Sequence, residues 1–253
     1  PRFLTTPALA LDQAQRCIAD MGDMAKTNYH FAVDPLFGGA AANEEVFSAN
    51  EAFLDHAEVE IGRYLTAMHN IRSVDQRRRT AEMMHSLSDF EKIGDYAQNI
   101  FSLADEFREA GLSFSQDAMR ELHAMTDAVS EVLDLTVDAY VKQSAPEARR
   151  VEPLEEVVDT MKEQLKSRHI ARLSENKCTM QTGIHFLDIV HDLEKISDHC
   201  SNIAIYTIQL VEGAEEFDTH AYAKAELKSG TQFKEQLAFY QDKYLSRLDG
   251  TPQ

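Results

Sequence analysis

Four times the sequence sets a glutamate four residues before an aspartate: Glu51/Asp55, Glu91/Asp95, Glu155/Asp159 and Glu194/Asp198. On an α-helix, residues at that spacing lie about 40° apart around the axis, so each pair puts two like charges on one face. One such pair costs an isolated helix about 0.2–0.5 kcal/mol. Four carboxylates brought together cost far more, unless cations neutralise them or their pKa values rise. An oxygen-only donor set, extended along the same helices by Asn99 and Asn202, suits a hard cation: Mg²⁺, Ca²⁺, Mn²⁺ or iron. The plainer reading is a set of solvated acidic faces, partly neutralised by Lys92 and Lys195.

The pairs belong to an internal repeat. Asp89-Phe-Glu-Lys-Ile-Gly-Asp-Tyr-Ala-Gln-Asn-Ile100 matches Asp192-Leu-Glu-Lys-Ile-Ser-Asp-His-Cys-Ser-Asn-Ile203 at an offset of 103, with seven of twelve positions identical. Glu51-x-x-x-Asp55 pairs with Glu155-x-x-x-Asp159 at an offset of 104. Polar positions survive between the copies, which drift on a free solvent face would have erased.

The elements that position these residues read as helices. Gly and Pro together number only 10 and 6 in 253 residues, so turns are few and elements long. Thr6-Pro7 caps a first helix with Leu11, Ala14, Ile18, Met21 and Ala25 on one stripe, ended at Asp34-Pro35 and the Gly38-Gly39 loop. A second runs from about Asn43 to Met68 with Val46, Ala49, Phe53, Ala57, Ile61 and Leu65 facing inward. Ser73–Gln76 reads as a capping box opening a third, which stops near Gly111. The pattern restarts at Ser115, continues over Leu154–Leu173, and runs from Thr179 to Glu212. No segment alternates with period two. The expectation is an all-α chain: two tandem three-helix bundles, residues 1–111 and 112–212, then a polar C-terminal tail, 213–253, with a short helix over Phe233–Tyr244.

Composition removes several function classes. Lys plus Arg total 25 against 43 Asp plus Glu, a net charge of −18, which opposes nucleic-acid binding; the densest basic run is only Arg77–Arg79. Cys17, Cys178 and Cys200 form no disulfide framework or metal knuckle and fit a reducing compartment. No apolar run approaches about 18 residues, and no signal peptide is visible. There is no Gly-rich phosphate loop or nucleophile elbow, so no catalytic residue is assigned and the chain is not read as an enzyme. Glu82-x-x-His85 and Asp188-x-x-His191 have the spacing of di-iron bundles. The repeat, however, aligns Glu82 with His185 and His85 with Asp188, so no symmetric site follows. His199, beside Asp198, is the better extra ligand and His169 the weaker.

The two twelve-residue copies resemble the signature of PhoU-like domains. The resemblance spans roughly residues 7 to 212 and implies tandem three-helix bundles whose carboxylate motifs can hold multinuclear iron or zinc clusters. It implies Glu91, Asp95, Glu194 and Asp198 as ligands, with Glu51, Asp55, Glu155 and Asp159 matching more loosely. Lys stands where the family often has Arg, and Ser197 where Gly is usual. The Pro1–Leu11 opening and the Phe217–Tyr222 stretch resemble the cytosolic domain of bacterial sodium/phosphate cotransporters. The implied role is metal-dependent regulation of phosphate transport, with phosphate on the metals' open positions. Its partner would be a transmembrane transporter segment before Pro1, in a protein of the bacterial cell membrane. The alternatives are a free-standing PhoU-type adaptor acting on a phosphate importer or sensor kinase, a di-iron enzyme, or a helical interaction module. Self-association into a homo-oligomer is left open.

Overall fold

The computed structural model describes residues 6–38, 44–68, 73–212 and 220–249. Its helices are α1 (Pro7–Val33), α2 (Glu44–Thr66), α3 (Val74–Glu109), α4 (Gln116–Lys142), α5 (Ala145–Ala148), α6 (Val151–Ser174), α7 (Met180–Glu212), α8 (His220–Ser229) and α9 (Thr231–Leu248), with a 3₁₀ turn over Asp34–Phe37. The described residues contain no strand. Pro1–Thr5, Gly39, Asn43 and Phe217–Thr219, which the sequence reading also used, lie outside them.

The chain folds as two helical triplets, α1–α2–α3 and α4–α6–α7. The long helices α3 and α7 pack on each other and α1 packs on α4, so the triplets share one core. Phe90 of α3 meets Tyr140 of α4 edge-on, with ring centroids 5.4 Å apart. The Tyr29 hydroxyl donates to the Thr126 carbonyl oxygen across 2.7 Å. Both tyrosines are fully buried, and each such aromatic contributes about 1.5–3 kcal/mol by leaving water. Gly111 ends α3 in the left-handed region, φ 62°, while Leu112 N–H donates to the Phe107 carbonyl.

Three local expectations are corrected. Thr6 and Pro7 open α1 as expected, but Ser73 makes no capping-box bond at the start of α3, whereas Ser115 does cap α4, accepting from Ala118 N–H. The buried face of α2 is Phe47, Glu51, Leu54, Ala57 and Leu65, while Val46 and Phe53 are exposed. It is turned about one residue from the expected stripe, because a buried glutamate within an apolar face reads as its polar edge. The C-terminal segment is not a peripheral tail: α9 packs on α6 and α4 and buries Phe233, Tyr240, Tyr244 and Leu248. Those residues recur at helical spacing, and the second triplet therefore gains a fourth packed helix.

Candidate metal centre

In the first triplet, carboxylate oxygens of Glu51, Asp55 and Asp95 lie within 4.8 Å of one another. Glu51 comes from the buried face of α2 and Asp95 from α3. The helices approach closely at Gly94, where a Cβ would stand 2.6 Å from Leu54 Cδ1 and 3.3 Å from Glu51 Oε2. Glu51 is 6% exposed. Its Oε2 accepts from Asn28 Nδ2 at 3.5 Å, and its Oε1 is buried without a partner. Burial, then Asp55 and Asp95, push the Glu51 carboxyl up to about 7. Glu91 stands beside the group, its pKa raised by burial against the pull of Lys92. Lys92 lies 3.0 Å from Glu91 and 2.5 Å from Asp95. Among the described residues it is the cation paired with this group; no ion pair reaches Glu51 or Asp55.

The second triplet meets the same repulsion with more lysines, although Glu155 Oε2, like Glu51 Oε1, is buried without a hydrogen-bond partner. Lys162 sits 3.0 Å from Glu194, and Lys195 lies 3.5 Å from Glu194 and 3.4 Å from Asp198. From α8, Lys224 reaches Glu152 at 3.2 Å and Glu155 at 3.3 Å, while Lys228 reaches Glu152 at 3.3 Å and also pairs with Glu156. Glu152, Glu155 and Glu156 form the second close carboxylate group, and Ser201 donates to Glu152. Burial and Glu152 push Glu155 up to about 8, against the pull of Lys224. Asp159 is raised by burial and by Glu194, its register partner across the helix pair. Glu152, Glu156, Lys224 and Lys228 went unread in the sequence. The signal was present as three glutamates in a five-residue stretch at the start of α6 and two lysines four apart in the tail.

The outer residues of the repeated motif do something else. Asp89 accepts from Asn202 at 3.5 Å and lies 2.7 Å from His199 Nδ1. Reciprocally, Asn99 hydrogen-bonds Asp192, whose carboxyl burial and Asp188 raise to about 6. The retained Asp and Asn thus tie α3 to α7 in a pseudo-symmetric pair of bonds. His199 is engaged by Asp89. His85 stacks on Tyr206, centroids 4.9 Å apart. Among the described residues, neither close carboxylate group includes a histidine, so no di-iron constellation of Glu82, His85, Asp188 and His191 is assembled. Cys17, Cys178 and Cys200 are free, Cys200 buried.

The PhoU domain profile matches residues 18–104 and 122–207, one match on each triplet. The chain belongs to the PhoU domain family. A Clostridium acetobutylicum relative, a phosphate-specific transport system accessory protein PhoU homolog, is 23% identical over 81% of this chain and 94% of its own length. A putative inorganic phosphate export protein of Salmonella typhimurium is 22% identical over 84% of this chain, which spans 40% of that relative. The fold is that of the PhoU crystal structure from Pseudomonas aeruginosa: TM-score 0.76, 20% identity, 82% of this chain and 99% of the other covered. PhoU of Streptococcus pneumoniae gives a TM-score of 0.71 at 19% identity, over 85% of this chain and all of that one. Among the described residues no helix is long and apolar enough to cross a membrane.

Proposed function

We propose that this chain is a PhoU-type accessory regulator of phosphate transport, working by association with a phosphate transport or phosphate-signalling protein and not by catalysis. The observation that carries the reading is the family match on both triplets, together with an accessory-protein relative aligned along 94% of its length. The Salmonella relative supports a second reading, in which such a domain is joined to a phosphate-exporting segment; a sodium/phosphate cotransporter would be one such arrangement.

The cation that supports this role binds in the first triplet. The buried, unpartnered Oε1 of Glu51 and its raised pKa mark a site where a positive charge relieves both desolvation and repulsion. Glu51, Asp55 and Asp95 hold the ion, with Glu91 beside them. An all-oxygen group suits Mn²⁺, Mg²⁺, Ca²⁺ or iron better than zinc, which favours nitrogen and sulfur donors. A bound ion fixes α2 against α3 and so the surface a partner reads. In the second triplet, Glu155, Asp159, Glu194 and Asp198 hold a metal only where the lysines withdraw.

Expressing the chain in a bacterium that lacks its own PhoU tests the role. Phosphate uptake is expected to return to the parental, phosphate-responsive rate. Unchanged uptake with the folded protein present would overturn the regulator reading.

A further inference from the structure

A cavity of about 260 Å³ lies at the end of the second triplet, where α4 and α7 begin and α6 ends. Its wall includes Arg172, which is 8% exposed. One guanidinium nitrogen, Nη1, pairs with Glu121 at 2.7 Å; Nε and Nη2 are buried without a partner. Its Cζ stands over the Phe186 ring, 5.2 Å from the centroid, a cation–π contact that helps hold the group in place. A buried guanidinium edge with two unused donors is a costly arrangement in the absence of an acceptor.

The surroundings supply donors and little competition. Ser115 and Thr179, the residues that open α4 and α7, both line the cavity. Ser115 Oγ accepts from Ala118 N–H, so its own proton is left to donate. The carbonyls at the end of α6 are occupied: Ala171, Arg172 and Leu173 accept from the N–H groups of Glu175, Lys177 and Asn176. Lys177 stands at the mouth, with Glu175 2.6 Å away. Glu121 is a buried carboxylate shared between Arg172 and Arg168, and Arg168 in turn pairs with Asp249. His169, 2% exposed and held over Gly183, keeps Nε2 unpartnered; burial, then Arg172, lower its pKa. Among the described residues the other copy of the repeat differs here. At the 104-residue offset His169 and Arg172 correspond to Leu65 and Met68, both buried apolar residues.

We infer that this cavity binds a small tetrahedral oxyanion of the phosphate type, gripped by the free edge of Arg172 and by Lys177, with the Ser115 hydroxyl as a donor at the start of α4. A planar guanidinium edge donates two parallel bonds to two oxygens of such an anion. The site is separate from the carboxylate rows and needs no metal.

The test is isothermal titration of the full chain, kept in chelator, with inorganic phosphate; sulfate and glycerol phosphate are the comparison probes. Wild type is expected to bind phosphate, and Arg172→Gln to bind it about tenfold or more weakly. Glu121→Gln, which removes the competing carboxylate, is expected to bind it several-fold more tightly, a gain that misfolding cannot produce. Should Arg172→Gln fail to fold, Glu121→Gln and the exposed Lys177→Gln decide between them. Tighter binding of glycerol phosphate assigns the site to a phosphomonoester, and equal binding of all three probes to a general oxyanion. Absence of phosphate binding, or binding that neither Glu121→Gln nor Lys177→Gln changes, would overturn the proposal. Because chelator is present throughout, loss of the metal reading leaves this result intact.

Discussion

In the first triplet Glu51, Asp55 and Asp95 face one another and Lys92 pairs with Asp95 alone of the three; in the second, Lys162 and Lys195 pair with Glu194 and Asp198, and Lys224 and Lys228 with the glutamates at the start of α6. Gly94 lets α2 close on α3, whereas Ser197 occupies the equivalent place. A duplicated motif therefore carries two electrostatic solutions. One half keeps its repulsion available to an external ion, and the other spends internal lysines on it. The opposite ends differ too: Leu65 and Met68 close the first triplet, while His169 and Arg172 line a cavity in the second. Sequence identity between repeats thus goes with the shared scaffold and the bonds between halves, while the cations around the carboxylates differ between them.

The largest effect should come from stripping the second half of its lysines. Lys224→Ala with Lys228→Ala leaves Glu152, which is 1% exposed, without its ion pairs. Unfolding by denaturant is expected to show a loss of about 3 kcal/mol. The same variant should recover stability on adding Mn²⁺, which would make the second half resemble the first; no recovery would mean that carboxylate placement, and not lysine competition, separates the halves. Next in size is Gly94→Ala, whose methyl would lie 2.6 Å from Leu54 Cδ1. It is expected to cost about 1–3 kcal/mol through overpacking. The reciprocal Ser197→Gly is expected to cost about 0.5 kcal/mol from helix propensity. Similar costs for the two would erase the proposed difference in helix approach.

Proton linkage gives a third way to sharpen the comparison. Glu51 is raised from 4.5 to about 7 and Glu155 from 4.5 to about 8. Between their unfolded and folded values the folded chain holds more protons than the unfolded one, so stability falls as pH rises through that window. The melting midpoint of chelated protein should decline from about pH 5 to about pH 8. Glu51→Gln should flatten the lower part of that decline and Glu155→Gln the upper. A rising midpoint would contradict the assignment. The smallest effect is expected from the bonds between halves: Asp89→Asn should cost about 1 kcal/mol, with the α3–α7 packing otherwise intact in denaturant unfolding.

Helix positions were legible because apolar residues recur at three and four and because so few Gly and Pro interrupt them. The repeat exposed the motif, but not the reason each polar position is kept. Asp89, Asn99, Asp192 and Asn202 are explained by bonds across α3 and α7, which only the packing of distant segments makes visible. The face of α2 was misread because Glu51 is buried while Val46 and Phe53 are not. Nothing in the sequence ties Lys224 and Lys228 to Glu152 and Glu155; α8 brings them there. Arg172 and His169 lie on a helix whose period is plain, but nothing local says that their end of the bundle contains a cavity.

The central claim, that the first half binds a cation while lysines take its place in the second, is tested most directly by metal content. Chelated protein would be reconstituted with Mn²⁺ or iron, desalted and measured by inductively coupled plasma mass spectrometry. Wild type would be compared with Glu51→Gln/Asp95→Asn and Glu155→Gln/Asp159→Asn. The account predicts bound metal in wild type, its loss from the first variant and its retention in the second. Retention in the first variant with loss from the second, or no bound metal in any of the three, would contradict it.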